Sequence, residues 1–357
     1  MYSYVTGHMT GNIDNQKKKM TTKRPTIRDV AQLAGVSHQT VSRVINQYER
    51  ISPETRKKVL AAIEKLGYHP SAIARSMSYG GTRTFACISP NLTDYTFASM
   101  IEGAETYARS HGYFLISATA PDPSSFQNLV EQLVQSRRTE GLLVINPYAD
   151  KRYVHLPKDV PVVLMGARPR TKGLASVALN DTQGGYLATK HLLSLGHKQI
   201  ALISGPLEED CVQDRINGYK KALDEAGLPF AKSLIYSGDW SATSGQAGVE
   251  NFVNQGINFT AIFAQNDRMA TGAIHFMQKI GWQIPEDVSI VGFDDMPLAS
   301  YFNPSITTIR QDIPALGQNA ARLIIDLKEN PNEKIQQLLF SPELVIRNST
   351  SKVNIWR

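Results

Sequence analysis

Two hydrophobic periodicities divide this chain. Over residues 26–66 apolar residues recur every three to four positions, the spacing of short helices with one buried face. From Phe85 onward short apolar runs alternate with amphipathic stretches. TFACISP, YFLISA, GLLVIN, VPVVLMG and ASVALN read as strands, with helices over 97–110 and 124–137 between them. The alternation resumes after Asn180: helix 182–195, strand QIALISG, helix 213–226, strand SLIYSG, helix 241–255, strand TAIFAQN, helix 267–280, strand VSIVGFD. Strand–helix alternation predicts parallel sheets covered on both faces. The fold class expected is therefore α/β: an N-terminal three-helix headpiece followed by a two-lobed body of parallel sheets.

The head carries its own punctuation. Thr26 is placed to cap a first helix, with Asp29 three residues on. Val30, Ala31, Leu33 and Ala34 form its expected apolar face. Gly35 can take the left-handed conformation that ends a helix. Ser37 caps a second helix that turns Val41, Val44 and Ile45 inward, and Asn46 and Gln47 close it. Ser52 and Pro53 open a third helix, with Val59, Ala62, Ile63 and Leu66 as its buried stripe and Gly67 as its stop. Ala31, Gly35 and Val41 supply what a helix-turn-helix needs: a small contact residue, a turn glycine and a branched core residue.

Charge then changes the picture. Residues 1–83 hold 14 Lys/Arg against 5 Asp/Glu, whereas the whole chain holds 38 against 32. A basic head on a mildly acidic body is expected to meet a polyanion. If Val41, Val44 and Ile45 face the core, the outer face of the second helix presents His38, Gln39, Ser42 and Arg43. Gln can pair with adenine and Arg with guanine in the major groove, so these four are the expected base readers. Thr26, Ser37, Thr40 and Asn46 are the expected phosphate contacts, aided by helix N-termini.

The stretch TIRDVAQLAGVSHQTVSRVIN, the SPETRKKVLAAIEKLGY after it and HPSAIARSM together resemble the headpiece of the lactose-repressor family of bacterial regulators. The resemblance implies that residues 70–77 form a hinge helix that folds on operator DNA and wedges an apolar side chain into the minor groove. Met77 holds the wedge position, usually leucine, with Ala74 beside it, and Ser71 replaces the usual asparagine after Pro70. The body resembles the periplasmic-binding-protein-like core of the same family, through GYLATKHLLSLGHKQIALISGP, DRINGYKKAL, AIFAQNDRMATGAI, VSIVGFDD and PSITTIRQD. The organisation expected is an extension over 1–20, a headpiece over 21–69, a hinge and linker over 70–83, a core over 84–350 and a tail over 351–357. Within the core, one lobe takes about 84–180 and 309–330, the other about 181–308 and 331–350.

Ligands of parallel α/β sheets bind beyond the carboxyl ends of the strands, where Asn91, Asp94, Asn146, Asn266, Asp267, Asp294 and Asp295 collect. The resemblance implies that Arg215, Asn266 and Asp294 hold effector hydroxyls. A guanidinium fork, an amide and a carboxylate suit vicinal diols. Gly238-Asp239-Trp240-Ser241 is similar to the family segment whose tryptophan stacks on a pyranose, and an indole face suits a sugar's C–H face. Met165 falls where the family's founding member has an inducer-contacting aspartate, so Asp94 and Phe97 are expected to supply compensating contacts. The expected partners are double-stranded operator DNA, a small sugar effector and a second copy of the chain. The chain ends without leucine heptads, so a homodimer is expected rather than a tail-tied tetramer.

A repressor released by a sugar is expected, while an activator or a non-sugar effector stays open. A stand-alone sugar-binding protein would fit the body but not the head, and an enzyme finds no support in the residues. There is no GxxxxGK, GxSxG or HExxH, and no metal-ligand spacing among the histidines. Asp294 and Asp295 are neighbours on a strand, so their side chains diverge. No catalytic residue, metal or cofactor is expected. No apolar run reaches the roughly 18 residues of a membrane span. With no leader-like apolar core at the start and Cys87 and Cys211 far apart, a cytoplasmic protein with free thiols is expected.

Overall fold

The computed structural model describes residues 25–46, 48, 50–69, 81–148, 150, 152–166, 168, 173–332 and 334–354. They form two compact units, a head up to Gly80 and a body from Gly81.

The head is three helices: α1 (Ile27–Ala34), α2 (His38–Ile45) and α3 (Pro53–Leu66). Its start is a reciprocal capping box between Thr26 and Asp29. Gly35 ends α1 at φ 66°, a left-handed conformation that glycine adopts without a Cβ clash. Ser37 and Ser52 cap α2 and α3 through the amides of Thr40 and Thr55. Val30, Ala31, Val41, Val44, Val59, Ala62 and Tyr68 make the core. Leu33 departs from expectation: it is 44% exposed. An eight-residue helix against two neighbours buries only a narrow stripe, and Val30 and Ala31 fill it. The expected extension and the wedge residues Ala74 and Met77 lie outside the described residues.

The body holds two six-stranded sheets. The first contains β1 (Thr84–Ser89), β2 (Phe114–Thr119), β3 (Leu142–Ile145), β4 (Val162–Met165), β5 (Ala175–Leu179) and, from far along the chain, β11 (Gln337–Phe340). Its order is β11-β5-β4-β3-β1-β2, parallel throughout. Period-two alternation sorts its side chains. Phe85, Cys87, Leu143, Ile145, Val163 and Met165 pack with α4 (Tyr95–Ser110) and α10 (Ile313–Glu329). Ala86, Ile88, Leu142, Val144, Val162 and Leu164 pack on the other face with α5 (Pro123–Gln135). Both faces are therefore dry over β1, β3, β4 and β5, which is why these strands read as continuous apolar runs, while the edge strands β2 and β11 are largely exposed.

The second sheet contains β6 (Ile200–Ser204), β7 (Ile235–Ser237), β8 (Ala261–Ala264), β9 (Ser289–Asp294), β10 (Thr307–Arg310) and β12 (Glu343–Val345), in the order β12-β10-β9-β8-β6-β7. Only the β10–β12 pair is antiparallel. Its faces are covered by α6 (Asp181–Ser194) with α7 (Asp210–Glu225), and by α8 (Ala242–Asn254) with α9 (Asp267–Lys279). The lobe boundaries differ from expectation at two places. Residues 309–310 lie in β10 of the second sheet, and 337–340 in β11 of the first. The places of β10 and β11 are fixed by their pairing with β9 and β5, a non-local choice that local sequence does not encode. Among the described residues no helix is long and apolar enough to cross a membrane.

Candidate effector cavity and DNA-reading helix

On α2 the outward face carries His38, Gln39 and Arg43, all exposed, with Ser42 half-buried. Arg43 sits over the Tyr48 ring at 5.9 Å, which restrains its stem while leaving the guanidinium accessible. Thr26 and Ser37 are engaged in capping: Thr26 Oγ1 donates to Asp29 at 2.7 Å, and Ser37 Oγ lies 2.9 Å from Thr40 Oγ1. Asn46 donates to Ser42 at 3.4 Å. The eight expected base and phosphate contacts lie within residues 26–46, with the four expected readers on one helix.

In the body, strand ends from both lobes surround a cavity of about 330 Å³. The six expected effector contacts line it, Asp94, Phe97, Arg215, Trp240, Asn266 and Asp294; of the other strand-end residues read from the sequence, Asn91 lines it and Asn146, Asp267 and Asp295 do not. Met165 does not; its side chain is buried in the first lobe's core, and Gly166 reaches the cavity instead. Asp94 caps α4 through the amides of Thr96 and Phe97 and reaches across to Arg268 at 2.9 Å. Asn266 caps α9 through the Met269 amide at 2.8 Å and donates to the Trp240 carbonyl at 3.1 Å. It therefore shapes the Trp240 loop as well as the cavity wall.

Arg215 is the electrostatic centre. Its Nε donates to Asp181 at 2.8 Å, Nη1 donates to the Gln265 carbonyl, and Nη2 lies 3.9 Å from Asp294. Its guanidinium stacks 3.6 Å from the Phe293 ring centroid. Burial works against its charge, but Asp181 and Asp294 hold it fully protonated. Asp294 is pushed up to about 7 by burial, against the pull of Arg215, and accepts from Gln311 at 3.1 Å. Asp267, behind it, is pushed up to about 8 by burial and by Asp294. Trp240 and Asp294 both take left-handed backbone conformations, φ 70° and 96°. Such strain, about 1–3 kcal/mol each, persists only where surrounding structure enforces it.

Sequence reasoning missed Asp181, Glu209, Cys211 and Arg268 as cavity residues. Arg268 and Asp181 adjoin helix starts and were within reach of the strand-end rule. Glu209 carried no signal, because its partner Trp240 is 31 residues away. Both thiols are free. Burial pushes Cys87 up to about 12 and Cys211 well above the usual thiol range. Among the described residues no group of His, Cys, Asp and Glu could hold a metal ion.

Residues 26–71 match the model for "Bacterial regulatory proteins, lacI family", and 189–350 match that for a periplasmic binding protein-like domain. The HTH-type transcriptional repressor PurR of Photobacterium profundum is 36% identical over 92% of this chain and 99% of its own length. The chain belongs to the lacI family of bacterial regulatory proteins. It is a DNA-binding transcriptional repressor with a small-molecule-binding body, and not an enzyme. The lac repressor dimer bound to operator and the anti-inducer ONPF superposes at a TM-score of 0.85, with 32% identity over 92% of this chain and all of that one. The transcriptional regulator CelR in complex with cellobiose follows at 0.71, with 30% identity over 91% of this chain and all of that one.

Two consequences arise in the cavity of this lacI-family chain. The Trp240 ring lies directly on Gly205, where an added Cβ would overlap it. Gly205→Ala should therefore displace the indole, changing tryptophan emission and weakening effector binding at least tenfold. Unchanged emission and affinity would show that the ring is held elsewhere. The second consequence is pH dependence. Asp267, Asp294 and Glu209 keep protons in the folded body at a pH where unfolded carboxyls, at about 4, have lost them. Folding thus takes up protons, and the stability they contribute is lost as pH rises through 7 to 8. The melting temperature should fall between pH 6 and pH 8.5, and Asp267→Asn should flatten the fall. A melting temperature that rises over this range contradicts the assignment.

Proposed function

We propose that this repressor is controlled by a small saccharide held between the two lobes of the body, and that it acts as a homodimer. The observation that carries the reading is the joint placement of Trp240, Arg215, Asn266 and Asp294 around one cavity. An indole face takes the C–H face of a sugar ring, while the fork, amide and carboxylate take its hydroxyls. The cavity lies within the size range of small-ligand sites, roughly 300–1,000 Å³. Two chains place two reading helices on a pseudo-palindromic operator, with His38, Gln39, Ser42 and Arg43 at base edges and Thr26, Ser37, Thr40 and Asn46 at phosphates. Ala74 and Met77 of each hinge enter the minor groove between them. The sugar favours the arrangement of lobes that does not hold DNA, so DNA must weaken sugar binding by the same factor.

A second reading rests on Phe97, Tyr148 and Trp240, whose rings in one cavity would also take a flat heterocycle such as a purine. A thermal-shift screen of the full chain against mono- and disaccharides, with nucleobases as the second arm, separates the two. A ligand at 100 times its Kd adds about 2.7 kcal/mol of stability. A saccharide hit supports the first reading; a nucleobase hit with no saccharide response replaces it.

A further inference from the structure

Glu209 is buried at the cavity wall, just ahead of α7. Unlike most residues at that position of a helix, its side chain caps no amide. It turns instead to the Trp240 indole, whose Nε1–H donates to Oε2 at 3.1 Å, and the Cys211 thiol lies 3.8 Å from the same oxygen. Among the described residues no hydrogen bond reaches Oε1. The backbone of Glu209 pairs with Tyr148 of the other lobe, so its position is fixed from both sides of the cavity.

The cavity's charges give this acid its meaning. Five acidic residues line it, Asp94, Asp181, Glu209, Asp239 and Asp294, against two arginines. Arg268 is engaged by Asp94 and Arg215 by Asp181. Asp239 is already engaged by the Ser241 side chain and amide, which hold it below the usual carboxylate range. A phosphate or carboxylate brought here would meet Asp294 and Glu209 with no uncommitted cation among the lining residues. A hydroxyl or an amine would meet an acceptor beside the indole.

We infer that Glu209 sets the chemical class of the effector: a saccharide presenting a hydroxyl or amine donor to Oε1 beside the Trp240 face, and not a phosphorylated or acidic sugar. The inference rests on the saccharide reading above. Its local frame is fixed by every element packed around it: Asp94 at the start of α4, Tyr148 after β3, Glu208 next in the chain, Cys211 and Arg215 on α7, and Trp240 after β7. Burial, with Glu208 and Asp94, pushes Glu209 up to about 7 against the pull of Trp240 and Arg215. The acid therefore loses its proton near neutrality and strengthens its hold on a donor as it does so.

Two measurements on the full chain test this. In calorimetry, glucose, glucosamine, glucose 6-phosphate and glucuronate form one matched set, and galactose, galactosamine, galactose 6-phosphate and galacturonate another. In the set whose neutral sugar binds, the phosphate and uronate should bind at least tenfold more weakly, and the amino sugar at least as tightly. Glu209→Gln should remove the preference for the amino sugar over its neutral parent. An anionic member that binds more tightly than its neutral parent overturns the inference and leaves the saccharide reading standing. Binding of nucleobases alone removes both. The second measurement needs no ligand. Tryptophan emission between pH 5.5 and 8.5 should show a transition that Trp240→Phe and Glu209→Gln each abolish. A transition that survives in Glu209→Gln shows that this carboxyl does not hold the indole, and overturns the inference whatever binds.

Discussion

Replacing Arg215 by alanine should abolish the response to effector and weaken the body by about 3–5 kcal/mol at neutral pH. The guanidinium is enclosed by Asp181, Asp294 and the Gln265 carbonyl, with Phe293 against its face. Removing it strands two buried carboxylates, which is more costly than losing a surface pair. Both carboxyls can take protons instead, and burial already drives them that way. The loss should therefore shrink as the pH is lowered to 5. Arg215→Lys keeps a charge near Asp181 but not the planar fork. It should recover much of the melting temperature and little of the effector response. Calorimetric melts with ligand titrations check both halves. An alanine variant that responds normally to effector would show that Arg215 is purely structural.

The second large effect belongs to the head. Arg43→Ala should lower discrimination between the preferred operator and scrambled DNA by about 1–3 kcal/mol, the worth of one bidentate base contact. Arg43 is exposed on α2 and packs only on the Tyr48 ring, so the head should melt as before. Binding to scrambled DNA should weaken less, since one phosphate-attracting charge is lost in both cases. Competition binding at fixed salt separates the terms. Equal weakening on both DNAs would make Arg43 a backbone contact and move base reading to His38 and Gln39.

The head is legible in the sequence because its signals are local. A cap, a turn glycine and an inward valine lie within a few residues of the helices they define, and Thr26, Gly35, Ser37 and Ser52 occupy those places in the structure. Leu33 departs from its predicted burial because periodicity marks a face without saying how wide a neighbour covers it. In the body, the inner strands β1, β3 to β6, β8 and β9 announce themselves as apolar runs because both sheet faces are dry there, whereas β2 and β7 lie at sheet edges and are partly exposed. Helix α7 starts at 210, three residues before the predicted 213, because Asp210 and Cys211 give no helix-start pattern. The last strands are harder to read. Gln337–Phe340 and Glu343–Val345 are short, sit at sheet edges, and return to different lobes through pairing with β5 and β10. The six cavity residues read from the sequence share one cavity because strand ends converge there. Glu209 escapes a sequence reading because its meaning comes from an indole on another loop.

In the function proposed, filling the cavity weakens the hold on operator DNA. The most direct test of this is fluorescence anisotropy of a labelled operator, selected from random DNA, titrated with the full chain with and without the saccharide hit at saturation. Operator affinity should fall at least tenfold, about 1.4 kcal/mol, when the cavity is filled. An operator affinity that stays the same with the cavity saturated would contradict it.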